Sequence, residues 1–350
     1  MVLVVSLSSL LSLLILFTVV GNIFVISSIL LDRNLRRVGN YLILSLAVAD
    51  LMVACLVMPL SAMYEVEEKW PLGPVLCDMW TSCDVLCCTA SILHLLAIAV
   101  DRYRAVTRID YVRQRNVRDI SIMIFLVWVI ALVISVAPIF GWKDPNFEER
   151  IFYQQKCLIS QDVAYQIFAT FSSFYVPLVA ILVLYWRIYQ EARRRIRNKP
   201  GKNTPVTEKK RGEESAELST IPNTLTCTNS DPPQTSCSVV ENRDLGSSQK
   251  KDRGKQLKDI EAKREKKAAK TLAIITGVFI VCWLPFFVLA VIMPICSSCE
   301  PNEKIFSMSQ WLGYTNSMLN PIIYTIFSPD FRRAFNRVLC GGKRQRATIM

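Results

Sequence analysis

Histidine is almost absent from this chain: His94 is the only one in 350 residues. A single imidazole with no adjacent nucleophile and no partner at metal-ligand spacing supports neither covalent catalysis nor a zinc centre. There is no phosphate loop and no GxSxG turn, and the CxxC pair of Cys296 and Cys299 stands alone. This inventory excludes an enzyme. Acidic residues are also short, 29 against 41 Lys and Arg, for a formal net charge of +12. Such an excess can mark a nucleic-acid surface. Its placement in short loops between apolar blocks argues against that partner.

About half of the residues are hydrophobic, and they fall into long blocks with few charges: 5–31, 40–63, 75–107, 119–140, 163–191, 266–294 and 304–327. A helix of about 20 residues crosses a hydrocarbon core about 30 Å thick, and soluble cores do not repeat such blocks seven times. The first block is too long for a signal peptide, has no basic residues before it and contains the polar pair Gly21-Asn22. The expected fold is an all-α membrane protein, a bundle of seven transmembrane helices. No internal repeat is visible, which weighs against a transporter of two matched halves; a channel or transporter is kept as the remote alternative.

Arginines crowd the loops after spans one, three and five: Arg33, Arg36 and Arg37; Arg104, Arg108, Arg113, Arg115 and Arg118; Arg193 to Arg197. Glu65, Glu67, Glu68, Glu148 and Glu149 occupy the opposite loops. The positive-inside rule then predicts a multi-pass plasma-membrane protein with an extracellular amino terminus and a cytoplasmic carboxyl terminus. Cys77 and Cys157 both fall on the oxidising side, where a disulfide between them is expected, and Cys296 with Cys299 is a candidate for a second. The outer amino terminus is very short and carries no glycosylation sequon, so we expect the sequence to be incomplete at its start.

Four regions follow. Residues 1–197 hold spans one to five with their loops. Residues 198–262, rich in Lys, Glu, Ser, Thr, Asn and Pro and nearly free of aromatics, read as a largely disordered third cytoplasmic loop. The helical composition of Tyr189 to Arg197 and Lys258 to Lys270 extends spans five and six into the cytosol as basic helices. Residues 263–327 hold spans six and seven, and 328–350 hold a short amphipathic eighth helix on the cytoplasmic side and a short tail. Ser328-Pro329-Asp330 is a helix start, and the amphipathic stretch after it should lie on membrane lipid. Cys340 at its end is either an acylation site or a free thiol.

Ionisable residues inside a membrane are costly and need a reason. Asp84 in span three has no basic neighbour in its own span; a ligand ammonium, a loop lysine or a proton could each balance it. Asp50 in span two, with Asn22, Ser91, Asn316 and Asn320, suits either a small hard cation or a water-filled hydrogen-bond network. Asp101-Arg102-Tyr103 ends span three. Eighteen residues, about 27 Å of helix, place Asp84 and Arg102 on one face at opposite ends. Arg102 is then either a readout of outer binding or a snorkelling anchor. Prolines interrupt spans at Pro138, Pro177, Pro285 and Pro321.

Asn22, Asp50 in LAVAD, Cys77, Asp101-Arg102-Tyr103, Trp128, Pro177, CWLP ending at Pro285 and NPIIY ending at Tyr324 occur together in order. In this the chain resembles the rhodopsin-type (class A) G-protein-coupled receptors over essentially its whole length. Asp84, Phe286-Phe287 and Trp311-Leu312-Gly313-Tyr314 resemble the aminergic subfamily, and CCTASILHLLAIAVDRY, GWKDP and SQDVAYQIFAT look most like invertebrate type-1 serotonin receptors. The resemblance implies a biogenic-amine receptor, serotonin first and octopamine or tyramine as the alternative. It implies coupling to inhibitory heterotrimeric G proteins, lowered cyclic AMP, and arrestin and receptor kinases as further partners.

By the same resemblance the ligand site comprises Asp84, Val85, Cys88, Thr89, Thr170, Ser173, Trp283, Phe286, Phe287, Gln310, Trp311 and Tyr314. The coupling and switch residues are Asp101, Arg102, Tyr103, Tyr185, Glu265, Phe279, Trp283, Asn320, Pro321 and Tyr324. Asp50, Ser91, Asn316 and Asn320 would hold a sodium ion as an allosteric modulator, and no cofactor is required. Two departures stand out. Arg104 follows the Asp-Arg-Tyr motif where a bulky residue is usual, and Gln310 replaces a smaller polar residue. Ala169 lacks the hydroxyl that a catecholamine would want.

Overall fold

Long runs of Leu, Val, Ile and Ala favour helix once water is removed, because in lipid every backbone polar group must be satisfied within its own segment. The computed structural model describes residues 2–108, 111–197, 271, 273–293 and 302–339. Among them no strand occurs. Helix α1 is Val2–Leu31 and α2 runs over Val38–Glu67; α3 is Gly73–Thr107 and α4 is Val117–Val136. Helix α5 is built from Val163–Thr170, Phe171–Tyr175 and Val176–Arg197. Helix α6 is Ala273–Met293, α7 is Glu303–Phe327 and α8 is Pro329–Leu339.

Helices α1 to α6 are each long and apolar enough to cross a membrane. Helix α7 is long enough at 25 residues but carries Ser307, Ser309, Gln310, Thr315, Asn316, Ser317 and Asn320. Its polar groups turn inward: Ser309, Asn316, Ser317 and Asn320 are all buried. The outer surface shows the reverse pattern. Phe125, Val133, Val179 and Val281 are each more than half exposed, a girdle that water would not tolerate on a monomer but lipid does.

Prolines shape three of these helices. Proline lacks an N–H and crowds the carbonyl four residues back. In α2 the turn before Pro59 widens to a π turn over Val53–Val57. The Val57 carbonyl in that turn accepts from Trp80 Nε1 at 3.2 Å and from the Ser61 hydroxyl at 3.0 Å. In α5 the π turn Phe171–Tyr175 precedes Pro177 in the same way. Pro321 sits inside α7, where Gly21 of α1 packs so closely that an added Cβ would lie 3.1 Å from its ring. Pro138 corrects the reading from sequence: α4 ends at Val136, so this proline follows the helix in a turn and does not interrupt it.

At one end of the bundle the Cys77–Cys157 disulfide ties the loop before α5 to the start of α3, with Cα atoms 5.7 Å apart. That loop has its own anchor. Asp144 and Arg150, both buried, pair through two hydrogen bonds of 3.2 and 3.0 Å, and the Gln161 N–H donates to Asp144 as well. Burial alone would raise the Asp144 carboxyl; these donors outweigh it and hold it below the ordinary carboxylate value. At the opposite end α8 packs Phe331 and Phe335 against Tyr324 and Phe24.

Candidate functional site

Three long helices meet at Asp84. Tyr314 of α7 donates its hydroxyl to Asp84 Oδ2 at 3.0 Å, and Gln310 Nε2, one turn earlier, donates to the same oxygen at 3.2 Å and to Tyr314 at 2.7 Å. Cys88, one turn along α3, donates its thiol to Oδ1 at 3.3 Å. The Ser61 oxygen, placed just after the wide turn of α2, lies 3.4 Å from the Tyr314 hydroxyl. Every donor to Asp84 is neutral. Among the described residues no cation lies within ion-pair distance of it. Among the described residues no loop lysine, one of the partners considered from sequence, fills this role.

Aromatic rings from α5, α6 and α7 stand next to this carboxylate's partners. Tyr314 meets Trp283 edge-on at 6.2 Å and Trp311 edge-on at 5.4 Å. Trp283 in turn packs on Phe286 at 5.7 Å, Phe287 at 5.8 Å and Phe279 at 6.4 Å. Phe174, which sequence reasoning passed over, stacks on Phe287 at 4.2 Å and on Phe279 at 6.2 Å. It is fully buried. Nothing distinguishes it in sequence from Phe168 and Phe171 of the same apolar span. Gly313, read from sequence only as part of the Trp311–Tyr314 stretch, carries no Cβ for a reason: one there would lie 2.7 Å from Trp283 Cε3 and Cζ3.

The remaining candidates are distributed around these rings. Thr170 and Ser173 are both buried on α5, with Ser173 inside the wide turn. Thr89 is buried and its hydroxyl has no partner among the described residues. Val85 packs against the cluster of Ile134, Tyr165 and Ala169, on the α4–α5 side of α3.

Deeper in the bundle Asp50 is fully buried and accepts from Ser317 at 2.9 Å, Asn320 at 2.8 Å and Ser91 at 3.3 Å. Ser317 was missed from sequence. Asn22 and Asn316 do not bond Asp50 here: Asn22 donates to the Thr18 and Ser317 carbonyls instead. The Asn316 and Asn320 amide oxygens are buried without a partner among the described residues. A carboxylate, a hydroxyl and two unsatisfied amide oxygens are hard donors of the kind a sodium ion accepts. The lone His94 lies one turn below Ser91. Its ring bridges the Ala90 carbonyl and the Ser45 hydroxyl, each at 2.7 Å, and Trp128 Nε1 donates to that same hydroxyl at 3.0 Å.

At the far end of α3 Asp101 is fully buried and Arg102 nearly so, with Arg102 Nη2 3.1 Å from Asp101 Oδ2. Arg115, read from sequence only as loop charge, is also 3.1 Å from that oxygen, and Tyr111 donates to Oδ1 at 3.2 Å. Burial and the adjacent Asp101 raise the Tyr111 phenol above its ordinary value, so it stays a donor at neutral pH. Tyr185 of α5 lies 3.2 Å from the Thr276 hydroxyl of α6. Tyr103 is half-buried, and its carbonyl accepts from Thr107 at 2.8 Å. Tyr324 is buried three residues after Pro321 and stacks on Phe331 at 5.3 Å. Glu265, Cys296, Cys299, Cys340 and the loop 198–262 lie outside the described residues.

Comparison with known proteins gives the family. Residues 21–324 match the family described as 7 transmembrane receptor (rhodopsin family). A 5-hydroxytryptamine receptor of Bombyx mori is 50% identical over an alignment covering 96% of this chain and 84% of that protein. A 5-hydroxytryptamine receptor 2B of Drosophila melanogaster is 38% identical, covering 95% and 83%. The 5-hydroxytryptamine receptor 1B of Oryctolagus cuniculus is 43% identical, covering 94% and 85%.

Proposed function

This chain belongs to the rhodopsin family of seven-transmembrane receptors, and on that footing we propose that its ligand is serotonin and its effector an inhibitory G protein. The observation that carries the ligand reading is Asp84: a carboxylate held by Tyr314, Gln310 and Cys88, all neutral. A protonated amine supplies the missing cation, as a charge-assisted hydrogen bond in a site poor in water. The indole ring of serotonin packs on Trp283, Phe286 and Phe287, and its hydroxyl reaches Thr170 or Ser173. The names of the relatives favour serotonin over octopamine or tyramine.

The disulfide end faces outward and the Arg102 end faces the cytosol, as the charge asymmetry of the loops supports. Amine contacts that differ between two states of the bundle shift the population toward one with α6 displaced at its Arg102 end. Asp50 and Ser91, with the amide oxygens of Asn316 and Asn320, would hold a sodium ion as an allosteric modulator. The long segment between α5 and α6 supports the inhibitory class by family analogy.

The test is cyclic AMP in cells expressing the chain, raised with forskolin and challenged separately with serotonin, octopamine, tyramine and dopamine. A fall at the lowest concentration with serotonin is the expected result. Preference for octopamine or tyramine overturns the ligand reading, and a rise overturns the coupling. Asp84→Asn should remove most amine affinity while leaving the protein folded at the cell surface.

A further inference from the structure

Asp101 has two oxygens and three suitors. Its Oδ1 accepts the Tyr111 hydroxyl. Its Oδ2 lies 3.1 Å from Arg102 and 3.1 Å from Arg115. A guanidinium facing a free carboxylate forms two parallel bonds, the strongest arrangement open to it. Arg102 meets Asp101 through Nη2 at Oδ2, where Arg115 competes for the same charge, while Tyr111 draws on Oδ1. Two like charges on one oxygen also repel, and both are largely withdrawn from water, with side chains 7% and 9% exposed.

Arg115 reaches this position because residue 39 is glycine. Gly39 is buried in the turn Val38–Asn40 that opens α2. Its φ lies outside the left-handed region, so its backbone is one that any residue adopts. The missing side chain is what matters. A Cβ there would lie 2.3 Å from Arg115 Nη1 and 2.9 Å from Arg102 Nη2. Any larger residue claims the space that the Arg115 guanidinium fills.

We propose that Arg115, admitted by Gly39, is a positioning residue that weakens the hold of Asp101 on Arg102 and so raises the readiness of the receptor to couple. The proposal rests on the reading that Arg102 serves G-protein coupling. Gly39 and Arg115 touch no part of the Asp84 site. Arginine tips are flexible, so a methyl at position 39 displaces a guanidinium and does not prevent folding.

The experiment measures nucleotide exchange on purified inhibitory G protein by the full-length chain in membranes, with and without serotonin, beside antagonist binding on the same membranes. Arg115→Gln leaves Arg102 alone on Oδ2; basal exchange should fall and the half-maximal serotonin concentration rise about threefold to tenfold. Antagonist affinity should stay within about twofold of the parent. Gly39→Ala should act in the same direction. The double variant should lie close to Arg115→Gln alone, since the added Cβ stands nearest Arg115 Nη1, at 2.3 Å against 2.9 Å for Arg102 Nη2. Increased basal exchange in Arg115→Gln overturns the proposal, because Arg115 is then a clamp. Unchanged exchange, or additive effects in the double variant, overturns it too. Basal exchange needs no ligand, so a response to another amine defeats the serotonin reading and leaves this comparison standing. A parent chain that exchanges nucleotide on no G protein defeats both.

Discussion

The Trp283 ring fills the space directly over Gly313, so that a Cβ on that glycine would stand 2.7 Å from two of its carbons. Helices α6 and α7 thus approach by ring against bare backbone at the level of Tyr314. Gly313→Ala forces the ring to shift or the helices apart, an overpacking cost of about 1–3 kcal/mol. Thermal melting in detergent should drop by several degrees and agonist potency should fall. Melting and potency equal to the parent would show that the ring has room to move.

Tyr314 and Gln310 orient Asp84 through hydrogen bonds to a charged group, each worth about 1.5–3 kcal/mol. Tyr314→Phe should therefore weaken amine binding by roughly tenfold to a hundredfold, read by competition against a labelled antagonist. Gln310→Ala should cost less, because Tyr314 still reaches the same oxygen. Equal losses in the two variants would argue that the amide meets the ligand itself.

Asp144 and Arg150 provide a pH dependence in the loop before α5. An acid held below its ordinary value stabilises the fold above the unfolded value, here 3.8. That stability fades as pH falls through the lowered, folded value. Melting temperature should therefore hold from pH 7 to pH 5 and drop below about pH 4. Asp144→Asn should be less stable than the parent at neutral pH and lose part of the acid drop. An Asn variant as stable as the parent at pH 7 would remove this pair from the account.

His94 joins three helices, through its own α3, Ser45 of α2 and Trp128 of α4. His94→Leu would take one of two partners from the half-buried Ser45 hydroxyl, which keeps Trp128 Nε1, at about 0.5–1.5 kcal/mol. Reduced melting temperature with intact antagonist affinity is the expected pair of results. Lost affinity at full stability would give the imidazole a role in binding that its distance along α3 from Asp84 does not suggest.

Much of this architecture is legible along the chain. Seven apolar blocks, the loop arginines, Cys77 with Cys157, and Asp84 or Asp50 inside a span are local facts, because hydrocarbon sets the length of a crossing and penalises each charge within it. Asp84 needed no coordinates to be singled out, for a carboxylate at that depth demands a partner. Gly313, Phe174, Ser317 and Arg115 gave no such signal. Each is an ordinary residue in an ordinary setting until a neighbouring helix is placed beside it.

The number of crossings, their polar exceptions and the family are readable along the chain. Those follow from hydropathy and from residues whose burial is costly wherever they meet. Helix packing alone fixes which neutral groups hold Asp84, that Ser317 and not Asn316 bonds Asp50, and that Arg115 meets Asp101 beside Gly39. These depend on the rotation of each helix about its axis, where one residue turns a side chain by 100°. The wide turns before Pro59 and Pro177 alter that rotation partway along α2 and α5, and no periodicity in the chain announces them.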